Sequence, residues 1–469
     1  MPEQFLHGVE VVEIDDGIRP IRTVTSSVIG LVGTAPKGPV NTPTLIAGSR
    51  IEAVSQFGAG VGTIPDALDA IFDQIGAMVV VVNVLDPATH KSAVAPKAYT
   101  LDGEGKITLD HQYVLNCVVK TKDGLTTYVA GTDYTLKADS GVVTRLASGT
   151  IPAGATLKIN YDRPDPSLVE ASDVIGGVDA STGAYEGVHA LLAAESVVHV
   201  TPRILIAPGY THSKEGPSTP NPVVAELLGI ADRLRAVIIA DGPNTNDADA
   251  ITYREDWGSA RVYVVDPWVN VWDTVSDAAV AMPASARVAG VISKSDNERG
   301  FWWSPSNREV YGIVGTARPV DFTMGDTNCR ANYLNENEVA TIIRKDGYRL
   351  WGNRTCSSDP KWAFLSVRRT ADMINESLLQ AHLWAVDRNI TKTYIDEVTE
   401  SVNAYLRHLV AVGAILGGHC YADPELNTAD QIMDGKVYFD FDFTPPYPAE
   451  HITFRSHLVD DYIEEIFSK

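Results

Sequence analysis

Met78-Val79-Val80-Val81-Val82-Asn83-Val84 decides the fold. The run is continuously apolar rather than alternating, which is the pattern of a strand buried on both faces of a sheet. Just before it, over 63–77, Ile64, Leu68, Ile71, Phe72 and Ile75 recur at helical spacing. The same kind of short run returns as Ser27-Val28-Ile29-Gly30-Leu31-Val32-Gly33, Arg203-Ile204-Leu205-Ile206-Ala207, Ala236-Val237-Ile238-Ile239-Ala240-Asp241 and Arg261-Val262-Tyr263-Val264-Val265-Asp266. Helical patterns stand between these runs at 186–195, 222–234 and 247–256. Helix alternating with buried strand predicts a doubly wound, parallel α/β core over 23–90 and 166–335, within a multidomain α+β chain.

Residues 91–165 interrupt the core with a different texture. Tyr99–Leu101, Tyr113–Val119, Thr126–Val129, Tyr134–Leu136 and Thr156–Tyr161 read as short strands punctuated by Asp123-Gly124, Ser140-Gly141 and Gly149. The spacing predicts a small inserted β-domain, a sandwich or barrel. Residues 336–446 read as a C-terminal α+β domain. A helix near 370–387 carries Ile374, Leu378, Ala381 and Ala385. A longer one over 394–416 carries Ile395, Val398, Val402, Tyr405, Leu409, Val412 and Leu416 on one seam, with Gly417-Gly418 expected to end it. Alternation over Val437–Phe443 predicts a half-exposed strand, with Val437, Phe439, Phe441 and Phe443 facing inward.

Composition bounds the function. The 469 residues hold 38 Lys+Arg against 60 Asp+Glu, a net charge of −22, and are 45% hydrophobic. A protein that coats nucleic acid needs the opposite balance, so nucleic acid is not an expected partner. No apolar run reaches the roughly 18 residues of a membrane helix, so no membrane insertion is expected. The first residues have neither a basic nor an apolar leader region, so no secretory signal is expected. Cys117, Cys329, Cys356 and Cys420 are scattered and form no CxxC, so neither disulfides nor a zinc site is expected.

Doubly wound proteins bind ligands at the carboxyl edge of the core sheet. Asp86, Asp241 and Asp266 each close a predicted strand there, but Asp-Pro and Asp-Gly-Pro are ordinary turn chemistry. Gly58-Ala59-Gly60-Val61-Gly62 lacks GxGxxG spacing, and Gly33-Thr34-Ala35-Pro36-Lys37-Gly38 lacks the Lys-Ser/Thr ending of a phosphate loop. There is no GxSxG and no HExxH; His408 and His419 read as structural, and Asp440 and Asp442 as two carboxylates on one solvated strand face. No catalytic, metal or cofactor site is predicted, and a soluble α/β enzyme with a ligand at the sheet edge remains the rival class.

Both chain ends are strand-like and set apart by turn residues: Gly17 and Pro20 at one end, Pro445, Pro446 and Pro448 at the other. A strand with no local partner either folds back or pairs with another chain. Four segments then carry a resemblance: Phe5-Leu6-His7-Gly8-Val9-Glu10-Val11, Ser26-Ser27-Val28-Ile29-Gly30-Leu31-Val32-Gly33-Thr34-Ala35, Gly300-Phe301-Trp302-Trp303-Ser304-Pro305-Ser306-Asn307 and the run Phe443–Phe454 around Pro445-Pro446-Tyr447-Pro448. In this order they resemble the tail sheath proteins of contractile-tailed bacteriophages, over nearly the whole chain, with 91–165 as the variable part.

The resemblance implies a non-enzymatic subunit of a helical homo-polymer around a tail tube. That polymer contracts on a baseplate trigger and drives the tube through the host envelope during genome ejection. It implies tail tube, baseplate and tail terminator proteins as partners, the virion tail as location, and assembly in the bacterial cytoplasm. The sheath of a headless bacterial contractile particle shares the same physics. It also implies that an N-terminal arm (1–22; His7, Val9, Val11, Ile14) and a C-terminal arm (447–469; Ile452, Phe454, Leu458) are exchanged strands. By the same resemblance Val437, Phe439, Phe441 and Phe443 are expected to belong to the receiving strand, and 91–165 to lie on the outer surface. The charge map adds a further expectation. Residues 1–22 sum to −3 and 437–469 to −5, whereas 340–370 sum to +5 through Arg344, Lys345, Arg349, Arg354, Lys361, Arg368 and Arg369. This basic stretch is expected to face either acidic arms or the tube, unless it is an ordinary solvated face.

Overall fold

Eight strands form one central sheet in the spatial order Tyr348–Trp351, Val339–Arg344, Val262–Val265, Val237–Asp241, Ile204–Ile206, Ile29–Gly33, Met78–Asn83 and Thr44–Ala47. The structure is a computed structural model and describes residues 21–216, 219–460 and 462. The six inner strands run parallel, and the two edge strands, Tyr348–Trp351 and Thr44–Ala47, pair antiparallel. Alternate residues of each inner strand feed opposite apolar layers. Val79, Val81, Ile204, Ile206, Ile239 and Tyr263 enter one; Val80, Val82, Leu205, Ile238 and Val264 enter the other. Two buried faces explain why these strands show no alternation in sequence.

Helices cover both faces, as a doubly wound core requires. Thr63–Phe72 and Ser285–Arg299 pack on the first layer, Pro222–Leu234 and Asp247–Glu255 on the second. Pro222–Leu234 follows its sequence signals closely. The Asn221 side chain accepts from Val224 N at 2.9 Å, Pro222 opens the helix, and Arg235 closes it in the left-handed conformation. The pattern at 186–195 folds instead as a 3-10 stretch, Gly187–Ala193, running into the short helix Ala194–Val198.

The inserted segment forms two three-stranded antiparallel sheets around Leu101, Ile107, Val119, Val143, Leu157, Ile159 and Tyr161. Tyr113 ties it to the core: its hydroxyl accepts from Ala59 N at 2.6 Å and donates to Ala59 O at 3.2 Å. Thr126–Val129, expected as a strand, makes only an isolated bridge at Thr127. Side chains intercept the backbone there, Asp123 Oδ1 taking Leu125 N and Thr121 Oγ1 taking Thr126 N.

The central sheet runs past residue 336, because Val339–Arg344 and Tyr348–Trp351 complete it. Two helices follow, Leu365–Ala381 and Lys392–Ala411. The first begins five residues before the expected Thr370. The second ends before the expected Gly417-Gly418, because Gly413 takes φ 80° and Leu416 N already donates to Thr444 O at 2.7 Å. Gly417 and Gly418 therefore lie in a strand, Gly417–Ala422, paired antiparallel with Phe439–Thr444. A Cβ on Gly418 would lie 2.7 Å from the Asp442 carbonyl oxygen, so glycine is required by the close cross-strand approach. Along the seam, Val398, Val402, Tyr405 and Leu409 are buried as expected, whereas Val412 and Leu416 fall beyond the helix and are exposed.

Candidate assembly interface

The sheet edge first tests the enzyme reading. Asp241 is fully buried and accepts from Ser285 N at 2.7 Å and Ser285 Oγ at 2.5 Å; burial pushes its carboxyl up to about 6 against those bonds. Asp266 is paired with Arg318 and takes Asn244 N at 2.8 Å, and its carboxyl too is raised by burial. Asp86 accepts from Ala88 N at 2.8 Å in its own turn. Each carboxylate is committed to holding a turn or helix start, and they form no common site. Gly62 serves packing as well: at φ +87° its Cβ would lie 2.3 Å from the Thr34 carbonyl oxygen. Among the described residues no group of His, Cys, Asp or Glu is arranged to hold a metal.

The C-terminal strand pair offers a different surface. Phe439, Phe441 and Phe443 turn inward onto Val402, Tyr405, Leu406, Leu409 and Ile374 of the two helices. Val437, expected as part of this strand, lies outside it. The Asn427 side chain pairs with both Tyr438 N and Tyr438 O at 2.8 Å, which takes the backbone off the ladder before residue 439. Among the described residues the sheet has only these two strands. On the Gly417–Ala422 side, Asn403 Oδ1 takes Cys420 N at 2.8 Å and Asn403 Nδ2 donates to Cys420 O at 2.9 Å.

The arm beyond this sheet divides into two parts. Pro445 is buried, Tyr447 meets Phe364 edge-on at 6.0 Å, and Glu450 accepts from Arg354 at 2.6–3.0 Å. From His451 to Asp460 every residue is exposed. Ile452, Phe454 and Leu458, spaced by even numbers of residues, are 66%, 93% and 105% exposed. The candidate N-terminal residues His7, Val9, Val11 and Ile14 lie outside the described residues. The root of that end is held where the C-terminal unit begins. Ile21 joins the apolar cluster of Phe439–Phe443, Thr23 Oγ1 meets the Tyr405 hydroxyl at 3.0 Å, and Val24 N donates to Ser377 Oγ at 3.1 Å.

The basic stretch is not one surface. Arg369 is buried, donating to Asp296 at 2.7 and 2.5 Å and to Ser26 O at 3.0 Å. Arg368 lies over Trp362 at 4.3 Å and is paired with Asp372, which also takes Arg261. Arg349 is spent on Glu309 and on the Asn307 and Lys345 carbonyls. These three, expected as candidate tube or arm contacts, are engaged within the subunit, and the neutralised, buried guanidinium of Arg369 has the least left to offer a partner. Arg344, Lys345 and Lys361 are exposed and make no ion pair among the described residues. What sequence reasoning missed is the web docking helix Leu365–Ala381 onto the core, in which Glu376 bridges Arg203 at 3.0 Å and Arg235 at 3.2 Å beside the Asp372 and Asp296 pairs. Only Arg368–Asp372, at i,i+4, carried a local signal.

With this geometry in hand, comparison with known proteins is specific. Residues 26–84 match the tail sheath protein Gp18 domain III N-terminal region, 183–356 the phage tail sheath protein central domain, and 357–458 the phage tail sheath C-terminal domain. Residues 81–172, which contain the insertion, match a family of unknown function. The tail sheath protein of Burkholderia phage BcepMu is 40% identical, with 99% of this chain and 98% of that one covered. The tail sheath protein of Escherichia phage P2 is 32% identical, with 98% of each covered. A putative prophage major tail sheath protein of Pseudomonas aeruginosa is 38% identical, again with 98% of each covered. Among solved structures, the helical sheath of the anti-feeding prophage in its contracted state shares the fold at a TM-score of 0.60 and 18% identity, covering 97% of this chain and 99% of that one. The sheath complex of an extracellular contractile injection system, PVC, also contracted, does so at 0.59 and 14%, covering 98% and 99%.

Proposed function

The chain belongs to the phage tail sheath protein family, and we propose that it is the subunit of a contractile tail sheath, polymerising helically around a tail tube. Its work is mechanical. A rigid body joined to its neighbours by tethers has two lattice packings of different free energy, and the fall from one to the other shortens the sheath and drives the tube into the host envelope. No nucleotide or metal step enters this mechanism. The baseplate triggers it, the tail terminator closes the opposite end, and the particle is built in the bacterial cytoplasm as part of the virion tail. A headless contractile particle would use the same subunit physics; the phage relatives at 32–40% identity favour the phage.

One observation carries the assembly reading: an exposed apolar alternation, Ile452, Phe454 and Leu458, follows a two-stranded sheet to which no third strand is added among the described residues. Backbone groups on a sheet edge and an extended segment without a partner are complementary, and intermolecular pairing satisfies both. In this reading strands within 447–469 and 1–22 are donated to neighbours, and Phe439–Thr444 with Gly417–Ala422 receive. The core comprises 23–90 and 166–351, the insertion 91–165 lies outward, and the exposed Arg344, Lys345 and Lys361 remain available to the tube or to acidic arms. Negative-stain microscopy of the purified chain tests the proposal. Tubes or rings are expected, and deleting 1–20 or 447–469 abolishes them while circular dichroism stays unchanged. A wild-type chain that stays monomeric at high concentration overturns the sheath reading; truncated chains that still polymerise overturn the exchanged arms.

A further inference from the structure

The C-terminal arm is fastened to its own subunit before it is free to leave it. Thr444 ends the strand, and the next six residues run along the body. Pro445, Pro446 and Pro448 fix φ at three of these positions and contribute no N–H, which makes the root a stiff spacer. At its end, Glu450 meets a guanidinium that approaches through two nitrogens, Arg354 Nε at 2.9 and 3.0 Å and Nη2 at 2.6 Å. Such a fork fixes direction as well as distance. Arg354 is itself held, lying over the Phe364 ring at 5.0 Å, and the two residues are joined by a backbone bridge. Phe364 turns its ring to Tyr447. Asn335, Glu338 and Gly352 line the shallow cleft in which the carboxylate sits. After Glu450 the hydrogen bonds and ion pairs to the body end among the described residues, Thr453 meeting only His451 of its own segment, and all residues through Asp460 are exposed.

We propose that Arg354 and Phe364 form a latch on Tyr447 and Glu450 that sets where the donated strand begins, at His451. The proposal rests on the arm-exchange reading above and adds a positioning function to it. With the latch closed, Ile452, Phe454 and Leu458 stand two, four and eight residues from a fixed point, so the register in which they meet a neighbour's sheet is fixed by the donor. With the latch open, the tether regains residues 445–450, which at about 3.3 Å per extended residue adds roughly 20 Å of reach and frees the register to slip. Both partners are half exposed, at 36% and 40%, so the latch is weak enough to open under load and sensitive to salt.

The test is cleavage of the full-length chain, kept dilute, by a glutamyl endopeptidase at Glu450–His451. Chymotrypsin cleavage after Phe454, beyond the latch, reports general accessibility in parallel. Arg354→Met, which keeps the stem over Phe364 but removes the fork, is expected to raise cleavage at Glu450 about fivefold while cleavage at Phe454 is unchanged. Arg354→Lys, a cation without the fork, should fall between. Raising salt should speed cleavage of the wild type and leave Arg354→Met unaffected. Equal rates in wild type and Arg354→Met overturn the latch, as does a rise shared equally by both cleavage sites. Because the readout is taken on the dilute chain, it is independent of polymer formation: a wild-type chain that never forms tubes while Arg354→Met still exposes Glu450 defeats the exchange reading and leaves the latch standing.

Discussion

Replacing Arg369 by Met separates a tie inside the subunit from a contact between subunits. In the sequence Arg368 and Arg369 look like the most basic point of a +5 stretch. In the fold Arg369 is 3% exposed and spends its guanidinium on both oxygens of Asp296 and on Ser26 O. The substitution leaves the Asp296 carboxylate, 9% exposed, with only the Ser26 hydroxyl at 3.0 Å among the described residues to donate to it. Removing one member of a buried pair costs about 3–5 kcal/mol, because the other charge stays desolvated and unpaired. Removing both, as Arg369→Met with Asp296→Leu, should recover most of that loss. Arg354→Met breaks a half-exposed pair and should cost no more than about 1 kcal/mol. Urea unfolding followed by tryptophan fluorescence gives the comparison through the midpoint. The reasoning is refuted if Arg369→Met unfolds at the wild-type midpoint, above all if assembly is then lost, since that would return Arg369 to the list of contacts between subunits.

The exposed bases predict the opposite pattern: Arg344→Glu with Lys345→Glu should leave the unfolding midpoint within about 0.5 kcal/mol of wild type and weaken co-sedimentation with the tail tube; unchanged co-sedimentation removes these residues from the tube contact. Asp241 gives a pH signature. Its carboxyl is raised from 3.8 to about 6, so its contribution to stability is fullest below the unfolded value and is lost as pH rises through about 6. Relative to Asp241→Asn, the wild type should therefore gain about 1 kcal/mol between about pH 8 and about pH 5.5 in urea unfolding, and a flat difference contradicts the buried charge. Finally, the concentration at which tubes first form should fall as salt rises from about 50 mM to about 500 mM; a rise would mean that ion pairs between subunits dominate.

The core was legible because its physics is local to each strand. A strand buried on both faces is apolar along its length, and residues 78–82, 237–240 and Val262–Val265 announce this without reference to any other part of the chain. The helix Pro222–Leu234 carries its own start and stop, Asn221-Pro222 and the left-handed Arg235. The end of the helix after Ala411 was not legible in the same way. Gly417-Gly418 is a strong local stop signal, but the turn is made earlier, at Gly413, because Leu416 is captured by Thr444, twenty-eight residues later. The basic stretch fails for the same reason at longer range. Nothing near Arg369 in sequence announces Asp296, and nothing near Arg354 announces Glu450, so a charge count over consecutive residues merges buried ties, a half-exposed latch and free cations into one apparent patch.

Sorting those charges changes what the net −22 means for assembly. Arg349, Arg354, Arg368 and Arg369 are each matched by an acid within their own subunit, so the outer surface is less basic over 340–370 than the sequence suggests. Copies of such a chain repel one another at long range, and screening over about 8 Å at physiological salt removes most of that repulsion only once subunits are close. Attraction must then come from terms indifferent to net charge. In the proposed exchange a donated strand would supply two of these, main-chain hydrogen bonds along a sheet edge and burial of the exposed Ile452, Phe454 and Leu458. A tether of this kind also survives sliding of the bodies it joins, because its bonds lie within the exchanged sheet and not between the moving surfaces. Those surfaces can therefore be repacked without the polymer coming apart, which is the mechanical condition for a sheath that contracts.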